Sequence, residues 1–304
     1  MLKGFICPDG ETIEKEACFK TCRMASRCLT LSTLRKIGEE RKWDGKASVT
    51  QLLNNGPRYT YLTTNTDYFI DPKAQGFRLL GTRVHASLDD IDDLAITEQK
   101  LDDAEIKGTF DNYEDKTLTD YKVVGSYKVA LALGLEPHKE PIPGEVYKIS
   151  GTWGQKGSPK MRTVFKPTGT PQMFEWEMQL NKYRIMFQKK MNLPVERLQI
   201  EIIVRDGGTQ TAVNRGIDYQ NNIFLVDVPI KDEKEVDEWF SKRNEELLKT
   251  MNLSESPRLC DERESWGGTR CQYYCSVKEA CLQFKDNIWL EENSNELGKS
   301  KRTK

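Results

Sequence analysis

The eight cysteines constrain this chain more than any other feature. They occupy its two ends and leave no cysteine between Cys28 and Cys260. Both groups carry one spacing: Cys7, Cys18, Cys22 and Cys28 read C-x10-C-x3-C-x5-C, and so do Cys260, Cys271, Cys275 and Cys281. Four thiolates complete a tetrahedral metal site or ligate an iron-sulfur cluster, so each end reads as a small four-cysteine module with one complete site. An x3 step on a helix sets Cys18 over Cys22, and Cys271 over Cys275, on one face. Disulfides are the competing use of these thiols, and they belong to exported chains; the first ten residues lack the charged-then-apolar pattern of a signal peptide. Zn2+ is the expected metal. A [4Fe-4S] cluster is the alternative, because the tight C-x2-C pair usual in zinc sites is missing.

Between the cysteine groups the pattern is that of an α/β domain. Residues 48–61 predict a short helix that breaks at Gly56-Pro57 into a connector, and residues 77–94 a longer helix. Residues 104–110 and 117–124 alternate like strands, and the turn residues 111–116 join them as a hairpin. Residues 126–135 and 173–191 have helical periodicity, the second stopped by Pro194, while 198–204 and 223–228 read as buried strands and 235–251 as an amphipathic helix. The expected division is an N-terminal four-cysteine module over 1–48, a core over 49–232, and a C-terminal helix, four-cysteine module and basic tail over 233–304. No apolar run approaches the ~20 residues of a membrane span, which points to a soluble, cytoplasmic protein without membrane contact.

The core holds polar residues that fit one chemistry. Asp111 and Asp120 lie on either side of the expected turn, so a hairpin brings two carboxylates together, the donors a hard divalent cation takes. Lys122 shares a strand face with Asp120 by the period of two, which puts an ammonium beside carboxylate and metal, where it can hold an attacking water or stabilise charge on a phosphate. Gln179 and Tyr183 stand four apart on a helix and so share a face. Each residue has a duller use, as turn former, solvated cross-strand pair or ordinary helix face; their order is what makes the set specific.

That set, His85, G-T-F-D ending at Asp111, D-Y-K from Asp120 to Lys122 and Q-L-N-K-Y from Gln179 to Tyr183, resembles the RecB-like branch of the PD-(D/E)xK nucleases over residues 49–230. The resemblance implies a restriction-endonuclease-like mixed sheet flanked by helices and a metal-dependent phosphodiesterase acting on DNA. It implies Mg2+ or Mn2+ held by His85, Asp111, Asp120 and the Tyr121 carbonyl, with Lys122 as catalytic lysine and Gln179 and Tyr183 beside it. Similar nucleases of double-strand-break processing and CRISPR adaptation carry one four-cysteine iron-sulfur cluster, with one ligand before the core and three after it. This chain has four on each side, which leaves open a single cluster assembled across both ends.

With 46 Lys and Arg against 47 Asp and Glu, the whole chain offers nucleic acid no general attraction, so a polyanion site has to be local. The basic insertion 138–172 supplies it: Lys148, Lys156, Lys160, Arg162 and Lys166 gather there with Trp153, in a Gly- and Pro-rich stretch expected to be an irregular loop or loose hairpin. Trp153 is placed to stack on an unpaired base, or else to pack as an ordinary loop residue. Two functions follow. The first is a DNA nuclease, exonucleolytic or end-processing, of a phage, mobile element or recombination system, with single strands or duplex ends as substrate and a recombination or helicase protein as a compatible partner. The second is a non-catalytic nucleic-acid-binding or scaffold protein with structural metal sites.

Overall fold

The computed structural model describes residues 1–24, 26–40, 42–88, 95–103, 105–151, 154–252 and 257–285. The protein is mixed α/β and forms two compact units: residues 1–83, 100–108 and 232–304, and residues 84–99 with 109–231. The division therefore differs from the expected boundary at residue 48. Helices 49–65 and both cysteine groups share the first unit. The reason is contact between distant segments: the helices Val49–Asn54 and Pro57–Asn65 both pack on Glu233–Met251. Among the described residues, no helix is long and apolar enough to cross a membrane.

In the first unit the strand Leu2–Ile6 lies between Thr12–Glu14, antiparallel to it, and Tyr68–Ile70, parallel to it. Leu2, Phe5, Cys18, Leu34, Ile37 and Ile70 make its core, where each fully buried large side chain contributes about 1.5–3 kcal/mol. Gly4 has to be glycine, because a Cβ there would stand 1.9 Å from the Ile13 carbonyl oxygen. The expected connector after Gly56 is instead a second helix. Ser48 and Gln51 close a capping box over Val49–Asn54, and Pro57 then starts Pro57–Asn65 at its first position, where a missing N–H costs nothing.

The x3 cysteine pairs only half follow the helical expectation. Cys18 sits in the helix Lys15–Lys20, but that helix ends at the extended Thr21, before Cys22. Cys271 lies in the single turn Arg270–Tyr274, whose cap is the extended Cys275.

The second unit holds a five-stranded sheet in the order Ile223–Val228, Arg197–Val204, Thr117–Val124, Asn112–Glu114, Ile96–Thr97. Thr117–Val124 runs parallel to Arg197–Val204, with Asp120 beside Ile200; the other pairs are antiparallel. The expected hairpin partner changes. Ile106–Thr109 pairs with Ala47–Ser48 in another sheet, and the neighbour of Thr117–Val124 is the short strand Asn112–Glu114. Asp115 and Lys116 turn the chain with φ of 45° and 59°, the two left-handed residues of a type I′ hairpin turn. The helix Phe174–Met191 ends at Asn192 in the left-handed conformation, two residues before Pro194. The helix expected over 77–94 is Gly76–Leu88; residues 89–94, Ala104, Trp153 and the basic tail lie outside the described residues.

Candidate active site and thiol clusters

Strand register builds the site. Asn112 pairs with Thr119 across the antiparallel ladder, so one step further sets Asp111 opposite Asp120. Such cross-strand pairs hold their Cβ atoms about 5 Å apart. Both carboxylates are buried, at 7% and 2% exposure. Lys122, two residues beyond Asp120, turns to the same face and forms an ion pair from its Nζ to Asp120 Oδ2. From the helix Phe174–Met191, Gln179 Nε2 donates to Asp120 Oδ1 at 3.0 Å and lies 3.3 Å from the Tyr183 hydroxyl, one turn along. Asp111 is held on its other side, with His85 Nδ1 3.2 Å from Oδ1 and the Tyr121 backbone N–H donating to Oδ2 at 2.7 Å. The structure thus gathers His85, Asp111, Asp120, Lys122, Gln179 and Tyr183 into one network. Tyr121 joins it through its amide.

The charges are unbalanced. Burial pushes Asp120 up to about 6, with Lys122 pulling it down and Asp111 pushing it further up. Burial works against the charge of Lys122 too, but Asp120 and Asp111 outweigh it and hold the ammonium above its ordinary range. The hydrogen bond to Asp111 raises His85 against the effect of burial. Two buried carboxylates thus meet one ammonium, with His85 beside Asp111. Asp120 Oδ2 also lacks a hydrogen bond of good geometry: the ammonium lies against it as a charge contact only. A hard divalent cation relieves both conditions, and the donor set fits one. In the arrangement seen, Lys122, His85 and Gln179 take the carboxylates' bonds, and among the described residues no three His, Cys, Asp or Glu side chains stand at the spacing of a metal ion's ligands.

The expected basic surface is different in kind. The insertion is an antiparallel hairpin, Leu135–Val146 with Pro159–Pro167. Its first strand sets glutamates against these cations. Lys160 Nζ meets Glu145 at 3.0 Å, Lys166 pairs with Glu140, and Arg162 stands opposite Glu140 in the register. Lys148 and Lys156 lie exposed near the tip. Lys128 was not foreseen. Its ammonium lies 5.0 Å from the centroid of the Trp176 ring, and burial with the charge of Lys122 lowers its pKa against the pull of Glu175. Its place in the helix directly after the D-Y-K strand was the available signal.

Each cysteine group lines one cavity. Cys260, Cys271, Cys275 and Cys281 surround one, with Arg58 and Glu264 in its wall. Cys7, Cys18, Cys22 and Cys28 surround another, with Arg23 and Arg27. Burial, Glu264 and the three neighbouring sulfurs push the Cys260 thiol up to about 12. Arg58, at 3% exposure, donates from Nε to Cys281 Sγ at 3.2 Å and from a terminal nitrogen to the Pro257 carbonyl at 2.6 Å. No sequence pattern announces a contact between residues 223 positions apart.

No family model matches the chain, and no curated protein matches it. A solved structure described as "Crystal structure of SSO0001" is similar over 83% of this chain and 93% of its own, at 17% identity and a TM-score of 0.39. At that level the likeness assigns neither fold nor activity.

Proposed function

We propose that the second unit is a divalent-metal-dependent phosphodiesterase acting on DNA, of the RecB-like PD-(D/E)xK kind. The observation that carries this reading is the pair of buried carboxylates, Asp111 and Asp120, set opposite one another with Lys122 and Gln179 bound to Asp120. Asp111 and Asp120 would hold Mg2+ or Mn2+, with His85 and the Tyr121 carbonyl beside them. The bound cation would supply Lewis-acid polarisation of the phosphoryl oxygen and lower the pKa of a water.

The chain's own residues do the rest. Gln179 orients Asp120 and leaves its second oxygen toward Lys122. The Tyr121 amide and His85 fix the plane of the Asp111 carboxylate. The Lys122 ammonium, released from Asp120 once the carboxylate's charge is otherwise compensated, can hold a nucleophilic water or meet charge building on the phosphate.

The test is to incubate the pure protein with labelled linear and closed-circular DNA, single- and double-stranded, in Mg2+, Mn2+ or EDTA. Metal-dependent cleavage that Asp120→Asn removes supports the reading. DNA binding without cleavage in either metal would overturn it in favour of a non-catalytic nucleic-acid-binding protein.

A further inference from the structure

The eight cysteines belong to the first unit and take no part in the chemistry proposed for the second. Their arrangement is not that of one cluster drawing ligands from both chain ends, as in the similar nucleases. The two cavities share no cysteine, and each is lined by all four members of its own group. We infer that the first unit holds two separate thiolate-ligated metal centres, one on Cys7, Cys18, Cys22 and Cys28 and one on Cys260, Cys271, Cys275 and Cys281, and that Arg58 is a positioning residue that hydrogen-bonds a ligating sulfur of the second.

The buried arginine is the second observation. Arg58 is almost wholly enclosed, and its partners are a cysteine sulfur and a backbone carbonyl; among the described residues no carboxylate pairs with it. A guanidinium cannot shed its proton, and a buried cation without a counter-charge is costly. A neutral thiol on Cys281 leaves that cost standing, whereas a metal-bound thiolate removes it. The same electrostatics apply from the other side. Four thiolates around a divalent ion leave a net charge of −2, which needs cations and N–H donors around it. At the N-terminal group Arg23 lines the cavity while bonded to Asp9 at 2.9 Å, and the guanidinium of Arg27, bonded to the Cys18 carbonyl at 2.6 Å, brings a positive charge there.

Both groups are also built as fold staples. Cys18 belongs to the core formed by Leu2, Phe5, Leu34, Ile37 and Ile70, and Cys281 packs with Val277 and Leu62. A centre on the second group ties the segment 257–285 to the helix Pro57–Asn65 through Arg58 and Leu62. The ligand chemistry common to zinc and to an iron-sulfur cluster is the set of four thiolates; in the arrangement seen, the sulfurs of the described residues line each cavity without standing at ligand spacing.

The experiment uses the full chain, purified both in air and anaerobically. Zinc, iron and acid-labile sulfide are measured per chain, together with absorbance near ~400 nm, where thiolate-ligated iron absorbs. Wild type is expected to carry two centres. The double variants Cys7→Ser/Cys22→Ser and Cys271→Ser/Cys275→Ser should each halve the metal content and leave the other centre's content and spectrum unchanged. Arg58→Met should keep both centres but release metal to a chelator about tenfold faster from the C-terminal one only. Should a double variant fail to fold, wild type still decides. Stepwise chelation under native conditions, followed by thiol alkylation and mass measurement, should expose cysteines in two groups of four. One centre per chain, loss of all metal from either double variant, or eight thiols reactive from the outset would overturn the inference. None of these readings depends on DNA cleavage, so the nuclease reading can fail while this one stands.

Discussion

The carboxylate centre and the 135–167 hairpin are both rich in charge, and they treat it in opposite ways. On the hairpin, Lys160 finds Glu145 and Lys166 finds Glu140, all of them solvent-exposed or nearly so. In the centre, two carboxylates are buried side by side with one ammonium against Asp120 and a carboxylate oxygen short of a directed hydrogen bond. A surface hairpin has water to screen its charges, and each compensated pair is worth little. An uncompensated buried charge persists only where something else compensates it or uses it. Density of charge is therefore a poor guide to function in this chain; imbalance in a dry place is the better one.

The largest break in that contrast should come from the centre. Asp120→Asn or Lys122→Ala is expected to lower metal-dependent cleavage about a thousandfold, with the far-UV spectrum close to wild type in both and the thermal midpoint lowered in Lys122→Ala, which leaves the buried Asp120 without its cation. Full activity in either variant would remove the site assignment. Gln179→Ala removes the hydrogen bond that orients Asp120 and the contact with the Tyr183 hydroxyl, and should cost about ten- to a hundredfold, recovered in part by raising Mn2+; a loss that metal cannot relieve would show that Gln179 does something other than hold a ligand.

The hairpin should respond weakly. Lys160→Ala with Lys166→Ala is expected to change the Kd for DNA by about threefold or less, because each removed cation frees a glutamate it already neutralised. A drop of about a hundredfold with a shallower salt slope would make the hairpin a phosphate clamp after all. The smallest effect concerns stability. Asp206 accepts the Ser126 N–H at 2.6 Å and the Ser126 hydroxyl at 2.7 Å, and lies 3.4 Å from Arg215, at the start of the helix that follows the strand Thr117–Val124. The Ser126 hydrogen bonds hold its carboxyl below the usual range despite some burial. Its contribution is thus present above the unfolded-state pKa and lost as pH falls through the lower folded one. Asp206→Asn should cost about 1 kcal/mol at pH 7 and progressively less under acid, read from denaturant midpoints.

How much of this was legible in the sequence depended on the range of the interaction. Asp120 with Lys122, and Gln179 with Tyr183, follow from periods of two and four, and the structure brings each pair together. Asp111 meets Asp120 as expected, but through a different strand. Three residues of mixed polarity, Asn112–Glu114, are too short to show alternation, and an Asp-Lys turn with both residues left-handed carries none of the glycine that signals such turns. The Gly56-Pro57 step looked like a break because proline usually ends a helix; here it begins one. The unit boundaries, the glutamates facing the basic strand and the Arg58 to Cys281 contact all depend on residues far apart in the chain, and no local pattern encodes them.

The three-part make-up of the first unit also sets an order in time. Its opening segment, residues 1–83, leaves the ribosome long before the segment beginning at Asp232 that completes it. At about 5–20 residues per second, the interval is of the order of ten seconds or more. Throughout it the helix Pro57–Asn65 lacks the Glu233–Met251 helix on which it packs. The second unit, whose segments end at Lys231, has all its strands in hand first. Synthesis therefore delivers a whole carboxylate centre before it delivers the last four cysteines, and nascent chains stalled before residue 257 would hold the first without the second.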